Sequence, residues 1–177
     1  MSKTAAAVLT FLGTILFALP SSAQFWNGLL PNGNVYAGVS YAQLTDVINQ
    51  QSYRGWNASF EDNFFTSHPR IGIVIDGSGN YRGGSAKITQ YTAVGGVRYD
   101  FKYGKWRPFV HAMAGIRHVD SDGFVYNPLL IDIGAGVDYK LRFKRFAWRF
   151  QGDFLHSHYL DANQNDYRAS TGLVWRF

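Results

Sequence analysis

The sequence predicts an all-β protein, an eight-stranded antiparallel up-and-down transmembrane β-barrel, and three observations carry that expectation. Apolar and polar side chains alternate with period two through one segment after another. The apolar face of these segments is bulky and aromatic, while the opposite face is charged and rich in glycine. The last such segment runs into Phe177 without a polar tail. Composition agrees: of 177 residues 17% are aromatic, 19 are glycine and only 16% are charged, below the roughly 25% usual in soluble domains.

Before the strands comes a different kind of segment. Lys3 precedes an apolar run over 5–19, which Pro20, Ser21, Ser22 and Ala23 follow. A positive start, a short apolar core and small residues before Gln24 predict a secretory signal peptide at 1–23, leaving a single barrel domain at 24–177. The run is shorter than the ~20 residues a spanning helix needs. Export would permit disulfides, yet the chain has no cysteine, so stability has to come from the strand ladder and its interior. A net charge of +5 without a basic run gives no reason to expect a nucleic-acid partner.

Eight strands are expected at 33–42, 53–62, 70–80, 88–101, 106–119, 129–142, 146–158 and 166–177. The first three alternate noisily. In the fourth, Tyr91, Ala93, Gly95, Val97, Tyr99 and Phe101 oppose Thr92, Val94, Gly96, Arg98 and Asp100. The fifth carries Pro108, tolerable near a strand start because Pro lacks only the N–H. The sixth is the cleanest: Leu129, Ile131, Ile133, Ala135, Val137, Tyr139, Leu141 and Phe143 on one face, Asp132, Gly134, Gly136, Asp138, Lys140 and Arg142 on the other. The seventh sets Phe146, Trp148, Phe150, Gly152 and Phe154 against Ala147, Arg149, Gln151 and Asp153. The eighth sets Leu173, Trp175 and Phe177 against Gly172, Val174 and Arg176. Short turns are expected at 63–69, 102–105 and 142–145 and longer polar links at 44–52, 81–87, 120–128 and 158–165, the asymmetry of an outer-membrane barrel with both termini on the periplasmic side.

The bulky face should meet lipid. Eight strands leave room inside only for packed side chains, and Trp148, Phe150, Phe154, Tyr139, Trp175 and Phe177 would overfill that space. Aromatics are expected in two belts, Tyr99, Phe101, Trp106, Tyr139, Phe143, Phe146, Trp148, Trp175 and Phe177 at the short-turn end and Tyr41, Tyr53, Trp56, Tyr81, Tyr91, Tyr159 and Tyr167 at the other. The interior is expected to hold a paired polar network of Glu61, Asp76, Arg98, Asp100, Arg107, His111, Asp132, Asp138, Lys140, Arg149, Asp153, Arg168 and Arg176, because buried charges must find partners.

On its signal peptide, its eight alternating segments and the closing strand RASTGLVWRF, the chain resembles the small eight-stranded outer-membrane β-barrels, the group of the OmpA transmembrane domain and OmpX. The resemblance covers the whole mature chain. It implies that Phe177, with Trp175, Leu173 and Tyr167 at alternate positions before it, is the signal read by the barrel assembly machinery. It also implies a monomer among outer-membrane lipids, with lipopolysaccharide as a candidate contact. OmpA continues into a peptidoglycan-binding domain that has no counterpart here, so cell-wall anchoring does not carry over.

Chemistry is sparse. His156 and His158 share a strand face, but no third metal ligand is visible in the sequence. Ser157 lies between them on the opposite face, beyond the reach of either ring. GVSYA at 38–42 lacks the last glycine of a nucleophile elbow. GSGNYRGG at 77–84 has Arg82 where a phosphate loop needs glycine. No catalytic residue, cofactor or metal is therefore assigned. Arg54, Arg82 and Lys87 lie where lipopolysaccharide phosphates or an outside partner could meet them. The expected role is structural or recognitional with a closed or very narrow lumen; a small pore and a lipid A-modifying barrel enzyme are the alternatives.

Overall fold

A computed structural model of the chain describes residues 33–46, 49–63, 70–82, 88–121, 124–159 and 162–177, so the expected signal peptide and Lys87 lie outside the described residues. The described residues form nine strands: β1 (Asn34–Asp46), β2 (Asn49–Asp62), β3 (Ile71–Arg82), β4 (Ile88–Asp100), β5 (Trp106–Ser121), β6 (Phe124–Tyr126), β7 (Leu129–Lys140), β8 (Phe146–Tyr159) and β9 (Ala162–Arg176). Each long strand pairs antiparallel with the next, and β9 pairs with β1 from Asn34↔Arg176 to Gln43↔Tyr167, closing the sheet on itself. β6 is a three-residue flap on the end of β5, with Val119 opposite Tyr126, so eight long strands make the wall.

The register fixes the shape. Cross-strand partners followed from Gln43 through Tyr167, Phe154, Ile133, Ala112, Val97, Ile73 and Asp62 return beside Gly33, ten residues from the start. Eight strands with a shear of ten imply a tilt of about 43° and a backbone radius of about 8 Å, enough for side chains and little else.

Side-chain alternation sorts the two faces as the period-two pattern demands. Val39, Ile75, Ile131, Ile133 and Phe150 point outward and are about half exposed or more, whereas Asp132, Arg149 and Arg168 are at most 2% exposed. A water-soluble barrel has the opposite arrangement, because its apolar side chains must leave water. The chain is thus an all-β closed barrel of eight long antiparallel up-and-down strands with a lipid-type exterior and a polar interior.

The connections differ from the expected alternation. Asp46 pairs with Asn49 and Tyr159 with Ala162, so β1–β2 and β8–β9 run almost to their tips where the sequence suggests long polar links. The 120–128 link contains β6. The cause is physical: beyond the apolar band neither face of a strand needs apolar residues, so the alternation stops while the hydrogen-bond ladder continues. At the end bearing the termini the described turns, at 101–105 and 141–145, are tight. Gly104 takes φ 60°, a conformation costly for other residues, and Tyr103 and Trp106 exchange two backbone hydrogen bonds of 3.0 Å around it. Pro108 sits near the start of β5, where its carbonyl accepts the Phe101 N–H at 2.8 Å.

Candidate functional site: the lumen and the exterior girdles

The lumen is filled by charged side chains at three levels. Nearest the termini, Arg149 on β8 grips two carboxylates from opposite walls. Its Nε donates to Asp138 Oδ1 at 2.7 Å and its Nη2 to Asp138 Oδ2 at 3.0 Å, while Nη1 and Nη2 both donate to Glu61 on β2. Arg98 on β4 completes the lattice, with Glu61 at 2.6 Å, Asp100 at 2.8 Å and Asp138 at 3.2 Å. Arg176 reaches the same Asp138 oxygen at 3.2 Å. The Phe109 ring packs on both buried guanidinium groups, 3.6 Å from Arg98 Cζ and 4.7 Å from Arg149 Cζ, an arrangement that pairs cation with π face in a site of low dielectric.

At the middle level Arg168 on β9 binds Asp153 at 2.7 Å, Asp132 at 3.0 Å and Asp76 at 3.3 Å. His111 Nε2 lies 3.3 Å from both Asp132 Oδ1 and Asp153 Oδ1, and Asn57 donates to Asp76 at 2.6 Å. Local sequence makes the room: Phe109 and His111 on β5 pair directly with Gly136 and Gly134 on β7, and a Cβ at either glycine would collide with the facing ring. Toward the far end, Leu44, Tyr53, Leu130 and Leu155 form an apolar layer, alongside an Arg117–Asp166 ion pair of 2.5 Å.

Most of the expected network residues are brought together here. Glu61, Asp76, Arg98, Asp100, His111, Asp132, Asp138, Arg149, Asp153 and Arg168 are buried, Arg176 is half-buried and paired, and Arg107 is half-buried beside the terminal opening. Lys140 departs from the expectation: it is exposed, because it ends β7 where the barrel wall gives way to the turn. Tyr53, expected in a belt, points into the lumen at 1% exposure. Arg117 and Asp166 are additional partners that the sequence reading omitted, although each shares the inward parity of His111 or Arg168 on its own strand.

Outside, two girdles bound the apolar band. Near the termini Tyr99 and Phe101 rings meet at 4.9 Å, Trp106 and Tyr139 at 4.6 Å, and Trp175 and Phe177 at 5.2 Å. At the far end the pairs are polar. Trp56 Nε1 donates to the Tyr81 hydroxyl at 3.1 Å, and the Tyr41 and Ser52 hydroxyls lie 2.6 Å apart. Three imidazoles each meet an asparagine: His156 with Asn165 at 2.7 Å and His158 with Asn163 at 2.8 Å across the β8–β9 pair, and His118 with Asn127, just past β6, at 2.7 Å. These are the amphipathic groups that settle where hydrocarbon gives way to water. Ser157 points into the lumen, fully buried, on the opposite side of the wall from both histidine rings.

No protein-family model and no curated protein sequence matches the chain. Solved structures do. Neisserial surface protein A superposes with a TM-score of 0.69 at 12% identity, over 82% of this chain and 97% of that one. This chain has the fold of the small eight-stranded outer-membrane β-barrels. Ail, the attachment invasion locus protein of Yersinia pestis, follows at a TM-score of 0.57 and 15% identity over 82% and 98% of the two chains. The N-terminal β-barrel domain of Pseudomonas aeruginosa OprF gives 0.55 and 14% over 81% and 97%. Identity this low speaks for the fold alone: an inverted barrel of this size tolerates almost any sequence that keeps the alternation.

Proposed function

We propose that the protein is an outer-membrane barrel with a closed lumen, whose role is carried by its outward-facing surface, as a structural or recognition element, and not by transport or catalysis. The observation that supports this most is the Arg149–Glu61–Asp138–Arg98 lattice, which links β2, β4, β7 and β8 across the barrel. Opening a path through it would strip several buried charges of their partners at once. The apolar layer of Leu44, Tyr53, Leu130 and Leu155 supplies a second barrier.

In this reading a signal peptide exports the chain, the assembly machinery recognises the closing strand through Tyr167, Leu173, Trp175 and Phe177, and the monomeric barrel sits with its termini toward the periplasm. The far end, with Arg54 exposed beside the tyrosine and histidine girdle, faces the lipopolysaccharide leaflet and the outside. Two of the similar structures carry surface roles in their names, and one structure of Ail was solved with the heparin analogue sucrose octasulfate, which favours polyanion recognition as the type of contact. Deleting the gene tests the proposal. Adhesion or binding of sulfated and phosphorylated glycans at the cell surface should fall, while uptake of small solutes stays unchanged. Reduced solute uptake with intact surface binding would contradict it.

A further inference from the structure

The three levels of buried charge are not equally balanced. Near the termini Glu61, Asp100 and Asp138 meet Arg98, Arg149 and Arg176, and near the far end Asp166 meets Arg117. Between them, Asp76, Asp132 and Asp153 share a single guanidinium, that of Arg168, and one imidazole, that of His111. Carboxylates taken out of water need matching positive charge, and one arginine cannot supply it for three.

We propose that this middle level is a divalent transition-metal site, with His111 Nε2, Asp132 Oδ1 and Asp153 Oδ1 as ligands and Zn2+ as the ion the donor set suits best. The three ligand atoms all lie within 4.8 Å of one another, and Nε2 is 3.3 Å from each oxygen. A tetrahedron with metal–ligand distances of about 2.0–2.1 Å has edges of about 3.3–3.4 Å, so the two separations from Nε2 are those of donors around zinc, and the two oxygens would close to the same edge on binding the ion.

The second oxygens are already committed, while Asp153 Oδ1 accepts the Gln151 amide N–H at 2.9 Å and keeps a further lone pair for the ion. Arg168 Nε donates to Asp153 Oδ2 at 2.7 Å and its Nη2 to Asp132 Oδ2 at 3.0 Å, which turns both Oδ1 atoms toward the imidazole. Outer partners that orient ligating carboxylates in this way are a regular part of metal centres. Gly134 matters for the same geometry, since a Cβ there would collide with His111 Nε2 and Asp153 Oδ1. A divalent ion with a neutral imidazole and Arg168 balances the three carboxylates, leaving the fourth coordination position to water. The competing occupant of the same gap is a proton, which would make His111 an imidazolium held between two carboxylates.

The test uses the full barrel in a His156→Gln, His158→Gln background, which removes the exposed imidazole pair. The protein is refolded into detergent with Zn2+, passed over a weak chelator and analysed for metal by mass spectrometry. Retention of about one zinc per folded barrel is expected, falling at least tenfold on adding His111→Gln, because a preformed site holds its metal far better than a surface does. Refolding the same background with Co2+ gives a reading that does not depend on the ligand variant folding. Intense visible bands of a four-coordinate centre with a nitrogen ligand are expected. Folded barrel that keeps no zinc above the His111→Gln level, or a six-coordinate aquo-type cobalt spectrum, would overturn the proposal in favour of the protonated ring.

Discussion

Arg149 shows how much one side chain carries in a barrel of this size. Its guanidinium makes paired contacts to Asp138 and Glu61 while lying 4.7 Å from the Phe109 ring. Removing it leaves two buried carboxylates to Arg98 and Arg176, so Arg149→Ala should cost about 3–5 kcal/mol in urea unfolding from detergent. Lys140→Ala, at an exposed strand end, should change stability by less than about 0.5 kcal/mol. Equal effects of the two would remove the lattice from the account. Two glycines make a second contrast. Gly136 is covered by Phe109, whereas the Cβ position of Gly152 has nothing within 4 Å. Gly136→Ala should destabilise the barrel, and Gly152→Ala should leave it unchanged or raise its midpoint slightly, because only the second relieves backbone entropy without a collision. Much of this was legible in the sequence, because a strand puts every second residue on one face. The same parity extends to Arg117 and Asp166, which pair inside. Parity also turns Leu130 and Leu155 inward, but the apolar layer they make with Leu44 and Tyr53 was not expected, because a polar lumen gives no reason for one.

Among the elements, the strand ends carry the lesson. Gln51, Asn163 and their neighbours read as loop because both faces are polar there, yet Leu44 pairs with Gln51 and His158 with Asn163. Alternation reports the solvent on each side of a strand and falls silent where water lies on both. Hydrogen exchange separates the two readings: amides through 43–46, 49–52, 156–159 and 162–165 should exchange far more slowly than those of an open loop, while rapid exchange across all four would return them to loops. The closing strand β9 pairs with β8 along its length and with β1 to seal the wall. Leu173 and Trp175 face outward, and Phe177 packs on Gly33 and against the Phe60 ring at 6.4 Å. Phe177→Ser should therefore lower the yield of assembled barrel in the membrane with little effect on export, measured as the heat-modifiable fraction against total exported protein. An unchanged assembled fraction would leave the closing strand without its assigned part in assembly.

For the whole molecule, the fold follows from one inversion, bulky apolar groups outside and charges within, imposed on a closed ladder with no free edge. That inversion was legible from side-chain size alone, since an interior of about 8 Å radius cannot hold the aromatic face. Connection lengths were less legible: two of the four tips expected to be long, at 44–52 and 158–165, are paired strand. What the molecule does as a unit depends on whether the stacked levels of Arg149, Arg168 and Leu130 close the lumen to ions. Single-channel recording of the purified barrel in a planar bilayer measures that directly. A quiet baseline with inserted, folded protein is predicted, and it should stay quiet in Arg149→Ala, where the Arg168 level and the apolar layer remain. Stable, reproducible conductance steps from the wild-type monomer would contradict the closed lumen and the surface-borne role built on it.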